Sequence, residues 1–166
     1  TFGGRGYLSR FTVSGTHEWT KQSNASDSWG HAVTAIGAQP VTVALVSPTG
    51  VPTAAKVRVQ RHTAAGDVVW GKLVSNGPDN WPRNRSVRLT SAGDIQFVGW
   101  TGVDFKAEKM WRVRLGPDGA IKENAAISVG TRSFAYSSAE DALGRTWLGG
   151  AAILAGEKGY KGVALA

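Results

Sequence analysis

Apolar and polar residues alternate over short stretches, and no stretch carries a convincing apolar stripe at the 3.6-residue helical period. Glycine, proline, serine, asparagine and aspartate bound these stretches, as they bound strands. The pattern predicts strands at residues 7–13, 17–21, 31–36 and 41–46, and again at 56–63, 68–73, 86–90 and 95–100. A third group falls at 109–115, 121–125, 133–137 and 146–150, followed by one more strand at 160–165. The first two strands read as a hairpin closed at Ser14-Gly15. In Gly116-Pro117-Asp118-Gly119, proline supplies a φ near −65° and glycine supplies the position where φ turns positive. Ala65-Gly66-Asp67 and Ala92-Gly93-Asp94 are tight connections of the same kind. Residues 137–143 are a weak helical candidate and read better as a turn before the next strand. The apolar stretch at 148–155 is short and glycine-rich, a buried strand rather than one of the roughly 20 apolar residues that a membrane helix needs.

The strand pattern also repeats. Gly15, Gly66 and Gly119 head equivalent segments, with Arg10, Arg61 and Arg114 each five residues earlier, and Trp19 and Trp70 closing the following strand. Ser23-Asn24-Ala25-Ser26-Asp27-Ser28-Trp29 answers to Ser75-Asn76-Gly77-Pro78-Asp79-Asn80-Trp81, identical at four of seven positions. Ala92-Gly93-Asp94 with Gly99 answers to Leu143-Gly144-Arg145 with Gly149. A period near 50 residues built from short strands is the signature of propeller blades. The expected architecture is an all-β propeller segment of about three four-stranded blades plus one extra strand. It forms a single incomplete domain with repeats at about 5–54, 55–106 and 107–157 and a partial copy at 158–166.

Composition adds modest constraints. The 166 residues carry 22 glycines and seven tryptophans, suited to a folded, turn-rich β protein. The absence of cysteine removes disulfides, thiolate metal sites and a cysteine nucleophile. A formal charge of +7 suits either an acidic partner or a soluble basic surface.

Tests for catalysis find little. His17, His31 and His62 match no zinc spacing, and no nucleophile elbow, phosphate loop or carboxylate pair stands out. Thr1 as a nucleophile would need an adjacent base that this fold does not supply. The expectation is a non-enzymatic chain with no catalytic residues, no cofactor and no metal. Trp19 and Trp70 read as packing between neighbouring sheets, with Phe97 and Trp147 in the corresponding place of the fourth strand. The repeated arginines either line a channel that meets an anion or pair with a carboxylate or carbonyl, and the structural role is favoured.

The two polar loops carry the candidate binding residues: Asn24, Asp27 and Trp29 in the first, Asn76, Asp79, Trp81 and the following Arg83 in the second. Amide and carboxylate groups beside an indole suit a sugar, bonding its hydroxyls and covering its apolar face. The same aspartates could equally cap turn amides while tryptophan seals a sheet edge. Arg83, Arg85 and Arg88 with Trp81 could meet phosphates or anionic glycans. Asp79 and the alternating sidedness of the strand count against a continuous basic stripe, and so against nucleic acid.

The order of elements resembles the secreted β-propeller repeats of bacterial surface proteins and lipoproteins, the delta-60 type. That order is a strand with basic-x-x-x-x-Gly, a strand ending in tryptophan, a Ser-Asn-x-x-Asp loop, and x-Gly-Asp before a strand closing on glycine. Residues 57–102 match it best. The resemblance implies a four-stranded blade and an extracellular or cell-surface setting, with no catalytic residues. Asp27-Ser28-Trp29 and Asp79-Asn80-Trp81 are also similar to the Asp-Asn-Trp element of tachylectin-type lectins; residues 128–134 lack it. Three blades leave two open edges, which invite pairing. The expected partner is another polypeptide or copy that completes the ring, with a glycan as the alternative ligand.

Overall fold

The computed structural model describes residues 6–22, 28–46, 55–77, 83–102 and 107–166, with residues 28–31 described as backbone only. The described residues form thirteen strands and no helix: β1 (Tyr7–Phe11), β2 (His17–Gln22), β3 (Ser28–Ile36), β4 (Gln39–Val46), β5 (Lys56–His62), β6 (Val68–Val74), β7 (Arg83–Leu89), β8 (Ile95–Thr101), β9 (Lys109–Leu115), β10 (Ile121–Ile127), β11 (Arg132–Glu140), β12 (Thr146–Ile153) and β13 (Lys161–Leu165). No helix is long and apolar enough to cross a membrane among these residues. Each strand within a sheet pairs antiparallel with its chain neighbour. The sheets are β1-β2, β3-β4-β5-β6, β7-β8-β9-β10 and β11-β12-β13.

One local device closes most of the hairpins. In the turn from Thr63 to Asp67, the Thr63 amide donates to the Asp67 carbonyl at 2.8 Å and the Gly66 amide donates to the Thr63 carbonyl at 3.0 Å. The same pair of bonds recurs at Thr12–Thr16, Thr90–Asp94, Gly116–Ala120 and Asp141–Arg145. The third loop residue is always a glycine at positive φ, from 76° at Gly144 to 85° at Gly66. This is the three-residue hairpin loop, which needs one left-handed residue that glycine supplies without steric cost. Threonine adds a brace: the hydroxyls of Thr63 and Thr90 accept from the amides of Asp67 and Asp94.

The sheets stack face to face in chain order. On β8, Phe97 belongs to the core shared with the β3–β6 sheet, and its neighbour Val98 belongs to the core shared with the β11–β13 sheet. Trp111 and Met110 on β9 divide the same way. Successive side chains of a strand leave opposite faces, so one strand serves two interfaces. The core between the second and third sheets holds Val41, Val43, Leu45, Val57, Val59 and Val113 around the edge-to-face pair Phe97–Trp111. The next core is smaller: Val98, Met110, Ala135 and Leu148 are its fully buried members.

Sheets are aligned as well as stacked. Arg61 at the end of β5 bonds the carbonyl of Pro117 in the β9–β10 turn. Trp100 near the end of β8 touches Phe134 near the start of β11. Hairpin turns that follow odd-numbered strands therefore gather at one end, and the strand ends that lead into the longer connections gather at the other.

All thirteen predicted strands are present, but their grouping differs from the expected three sets of four plus one. The hydrogen-bonded sheets hold two, four, four and three strands. They begin at the third strand of each sequence repeat, so the polar loop after Trp19 or Trp70 connects two sheets instead of lying within one. Residues 137–143 divide between the end of β11 and the hairpin turn at Asp141.

Candidate functional site

Of the predicted ligand residues, those the structure describes lie toward the end where strands lead into the longer connections. Asn24, Asp27, Asp79 and Trp81 lie outside the described residues. Trp29 sits on β3 in register with Leu45, beside a bulge that precedes His31. Asn76 follows β6 and is half-buried. Arg83 opens β7, also half-buried, in register with Trp100 on β8. Burial, and after it the neighbouring charge of Arg85, hold the Arg83 guanidinium below its ordinary range. The described residues thus place Asn76 and Arg83 on either side of residues 78–82.

Next to Arg83 the structure assembles an aromatic cluster that the sequence motifs do not single out. The ring of Trp100 meets Phe134 edge-on at 5.2 Å and Tyr136 at 5.9 Å between centroids. Phe134 and Tyr136 lie parallel within 8°, and Tyr160 reaches Phe134 at 5.5 Å. Two arginines flank these rings. Arg85, on the bulge of β7, stands 4.8 Å from the Trp100 centroid, and Arg132 stands 5.6 Å from Phe134, both within cation–π range. Arg132 is neutralised: its guanidinium grips both carboxylate oxygens of the buried Glu108, at 2.6 and 2.8 Å, and this bond lifts its own pKa. Arg85 is exposed, and among the described residues it has no acidic partner. The one sequence trace of the cluster is Phe134-Ala135-Tyr136, two aromatics on one side of a strand.

Arg88 points elsewhere. It pairs with Glu140 of β11 at 2.9 Å, and Glu140 also accepts from the Ser91 amide and hydroxyl. Those Ser91 bonds, followed by Arg88, hold the Glu140 carboxyl below its ordinary range.

The repeated arginines and tryptophans fasten one sheet to the next. Arg10 donates to the Ala64 carbonyl and Arg61 to the Pro117 carbonyl, each two residues before the turn glycine of the following sheet. Trp19 lies against Gly66, and Trp70 lies against Gly119 while its indole N–H donates to Pro117. In the third copy Glu123 replaces the tryptophan and pairs with Arg112, and Arg114 lies 3.7 Å from Asp94. Phe97 is fully buried, as its position predicts, but Trp147 is 41% exposed, and its indole N–H donates to Asp141.

A cavity of about 130 Å³ separates the β1-β2 ladder from the β3–β6 sheet, lined by Leu8, Lys21, Thr42, Arg58, Gln60 and His62 among others. His62 is buried, with Nδ1 3.2 Å from the Gly66 carbonyl and Nε2 3.0 Å from the Thr42 hydroxyl. The carbonyl can only accept, so the proton sits on Nδ1 and Nε2 accepts from threonine. Burial pushes its pKa down, against a smaller opposing effect of the Gly66 carbonyl. His17 is exposed, with Nε2 2.8 Å from the Thr20 hydroxyl, and the His31 side chain lies outside the described set. Among the described residues no three His, Cys, Asp or Glu side chains converge on a point.

Compared with known proteins, the chain matches no protein-family model and no curated protein.

Proposed function

We propose that the chain is a non-enzymatic binding or scaffolding segment of a β-propeller whose ring is completed by another polypeptide or a further copy. The observation that carries this reading is the stacking of consecutive antiparallel sheets, each fastened to the turn of the next by a repeated arginine and tryptophan. The first strand β7 neighbours β3 of the sheet before it and β11 of the sheet after it, the arrangement expected around a central axis. Two sheets hold four strands, while the outermost ones hold two and three, and β1 and β13 pair on one side only among the described residues. Unpaired edges of this kind favour addition of strands from elsewhere. The resemblance to bacterial surface repeats supports an extracellular or cell-surface setting.

Solution mass tests the assembly. A defined multiple of 17.5 kDa, or a stable heteromer, is the expected result. A monodisperse single chain at micromolar concentration contradicts it.

The second reading is a carbohydrate-binding lectin that uses the two Asp-x-Trp loops. It is favoured by Asn76 and Arg83 flanking one of those loops in the chain, with Arg83 in register with Trp100 of an aromatic cluster. A glycan array separates the two readings: binding abolished by Asp27→Ala with Asp79→Ala supports the lectin, and binding indifferent to both removes it.

A further inference from the structure

We infer that the patch formed by Arg85, Trp100, Tyr136 and Tyr160 is a binding site for an acidic sugar chain, one that carries a carboxylate on its rings. The inference uses none of Asp27, Asp79 or Trp81, and it holds whether or not the sheets belong to a completed ring.

Three observations carry it. The first is exposed aromatic area. Tyr136 and Tyr160 are 49% and 50% exposed, although both join a ring cluster that holds them in place. Aromatic faces fixed by their neighbours cover the apolar face of a sugar with little loss of side-chain freedom. Neither phenol hydroxyl has a hydrogen-bond partner among the described residues, so both are available to sugar hydroxyls.

The second observation is the placement of charge. Arg132 is consumed by Glu108 and Arg88 by Glu140. Arg85 remains, exposed and with no acidic partner among the described residues, with its guanidinium over Trp100 and Arg83 two residues before it in the chain. A guanidinium stacked on an indole is held in plane, and its fork meets a carboxylate at two points. The patch therefore presents an apolar surface with one localised cationic edge.

The third observation is what the patch lacks. Nucleic acid calls for cations at the spacing of successive phosphates along its backbone. Here Arg132, on the far side of the rings, is neutralised by Glu108, and the remaining cations, Arg83 and Arg85, stand two residues apart at one edge. A single cationic edge beside a ring surface fits a carboxylate beside a sugar ring.

Titration calorimetry with an oligogalacturonide, a neutral oligosaccharide of equal length and a single-stranded oligonucleotide tests the assignment. The oligogalacturonide should bind, with the neutral chain weaker by about tenfold or more, the loss of one charge-assisted contact. Arg85→Ala should weaken oligogalacturonide binding by about the same factor, and Arg85→Lys by less, since charge stays and the planar fork goes. Tyr136→Ala should weaken the acidic and neutral chains alike, by several-fold. Thermal unfolding of each variant checks that the exposed substitutions leave the fold intact. Absence of oligogalacturonide binding by the folded chain overturns the inference. So does equal affinity for the neutral chain, or indifference to Arg85→Ala. Tighter binding of the oligonucleotide, falling steeply with salt, overturns it in favour of a phosphate chain.

Discussion

The ring of Trp70 closes over Gly119. A β-carbon added to that glycine would lie 3.1 Å from the indole, and the Trp70 N–H donates to the Pro117 carbonyl two residues earlier. Gly119 also has a φ of 84°. It is therefore doubly constrained, by its own backbone and by the sheet packed on it.

Gly15 separates the two constraints. Its φ is also 84°, but nothing lies within 4 Å of a β-carbon built there. Gly15→Ala should cost only the left-handed backbone penalty, about 1–2 kcal/mol. Gly119→Ala should cost about 1 kcal/mol more, since the indole must give way by a few tenths of an ångström. Urea midpoints at unchanged slope measure both. Equal losses would show that Trp70 contributes nothing to the requirement for glycine.

Phe97 and Trp147, which the sequence pattern pairs, stand four and three residues after the turn glycines Gly93 and Gly144, and they should respond differently to truncation. Phe97 is fully buried against Trp111, so Phe97→Ala should destabilise by about 3–5 kcal/mol. Trp147 is 41% exposed and loses part of its apolar cover and one hydrogen bond, so Trp147→Ala should cost less, about 1–2 kcal/mol. Chemical denaturation of the two variants decides the matter; a loss at Trp147 as large as that at Phe97 would contradict its placement.

His62 sets a pH dependence whose sign is fixed. Burial disfavours the imidazolium, so the folded-state pKa lies below the ordinary histidine value. At pH above the unfolded-state value both states are neutral and the full stability is present. As pH falls from that value through the folded-state pKa, the unfolded chain takes up a proton first and stability is lost. His62→Gln should flatten the stability profile between about pH 7 and 5. A profile unchanged by the substitution would mean that His62 titrates alike in both states.

Strand positions were legible because their causes are local. Alternation and turn residues place β9 at residues 109–115 without error, and most other strands within three residues at either end. The grouping into sheets was not legible, because the same strands fit either phase of the repeat. Choosing between them requires knowing whether the connection at 23–27 or that at 47–54 crosses between sheets, and loop composition does not say. The role of Arg10 and Arg61 was half legible: a carbonyl partner was foreseen, but not that it would belong to the turn of the next sheet. The cluster around Trp100 was not legible at all. Trp100 and Phe134 are joined only by the stacking of separate sheets, and neither sits in a recurring motif. Trp147 misled because the match was one residue out of register: counted from the turn glycines Gly93 and Gly144, Phe97 answers to Leu148, which is buried.

The interfaces are unequal, and that inequality gives the chain a direction. Val57 and Val59 on β5 face the apolar core shared with the third sheet, whereas Arg58, Gln60 and His62 on the same strand face the cavity beneath the β1-β2 ladder. Among the described residues the main contacts between sheets join neighbours in the stack, so the weakest junction can open without asking the others to follow. Hydrogen exchange should report this as a gradient, with amides of β1 and β2 exchanging in small openings while those of β8 and β9 wait for the whole chain to unfold. A uniform exchange energy across the sheets would mean a single cooperative unit. With the gradient, the first ladder behaves as a detachable flap on a fixed block, able to leave and return while the aromatic patch at the other side stays folded.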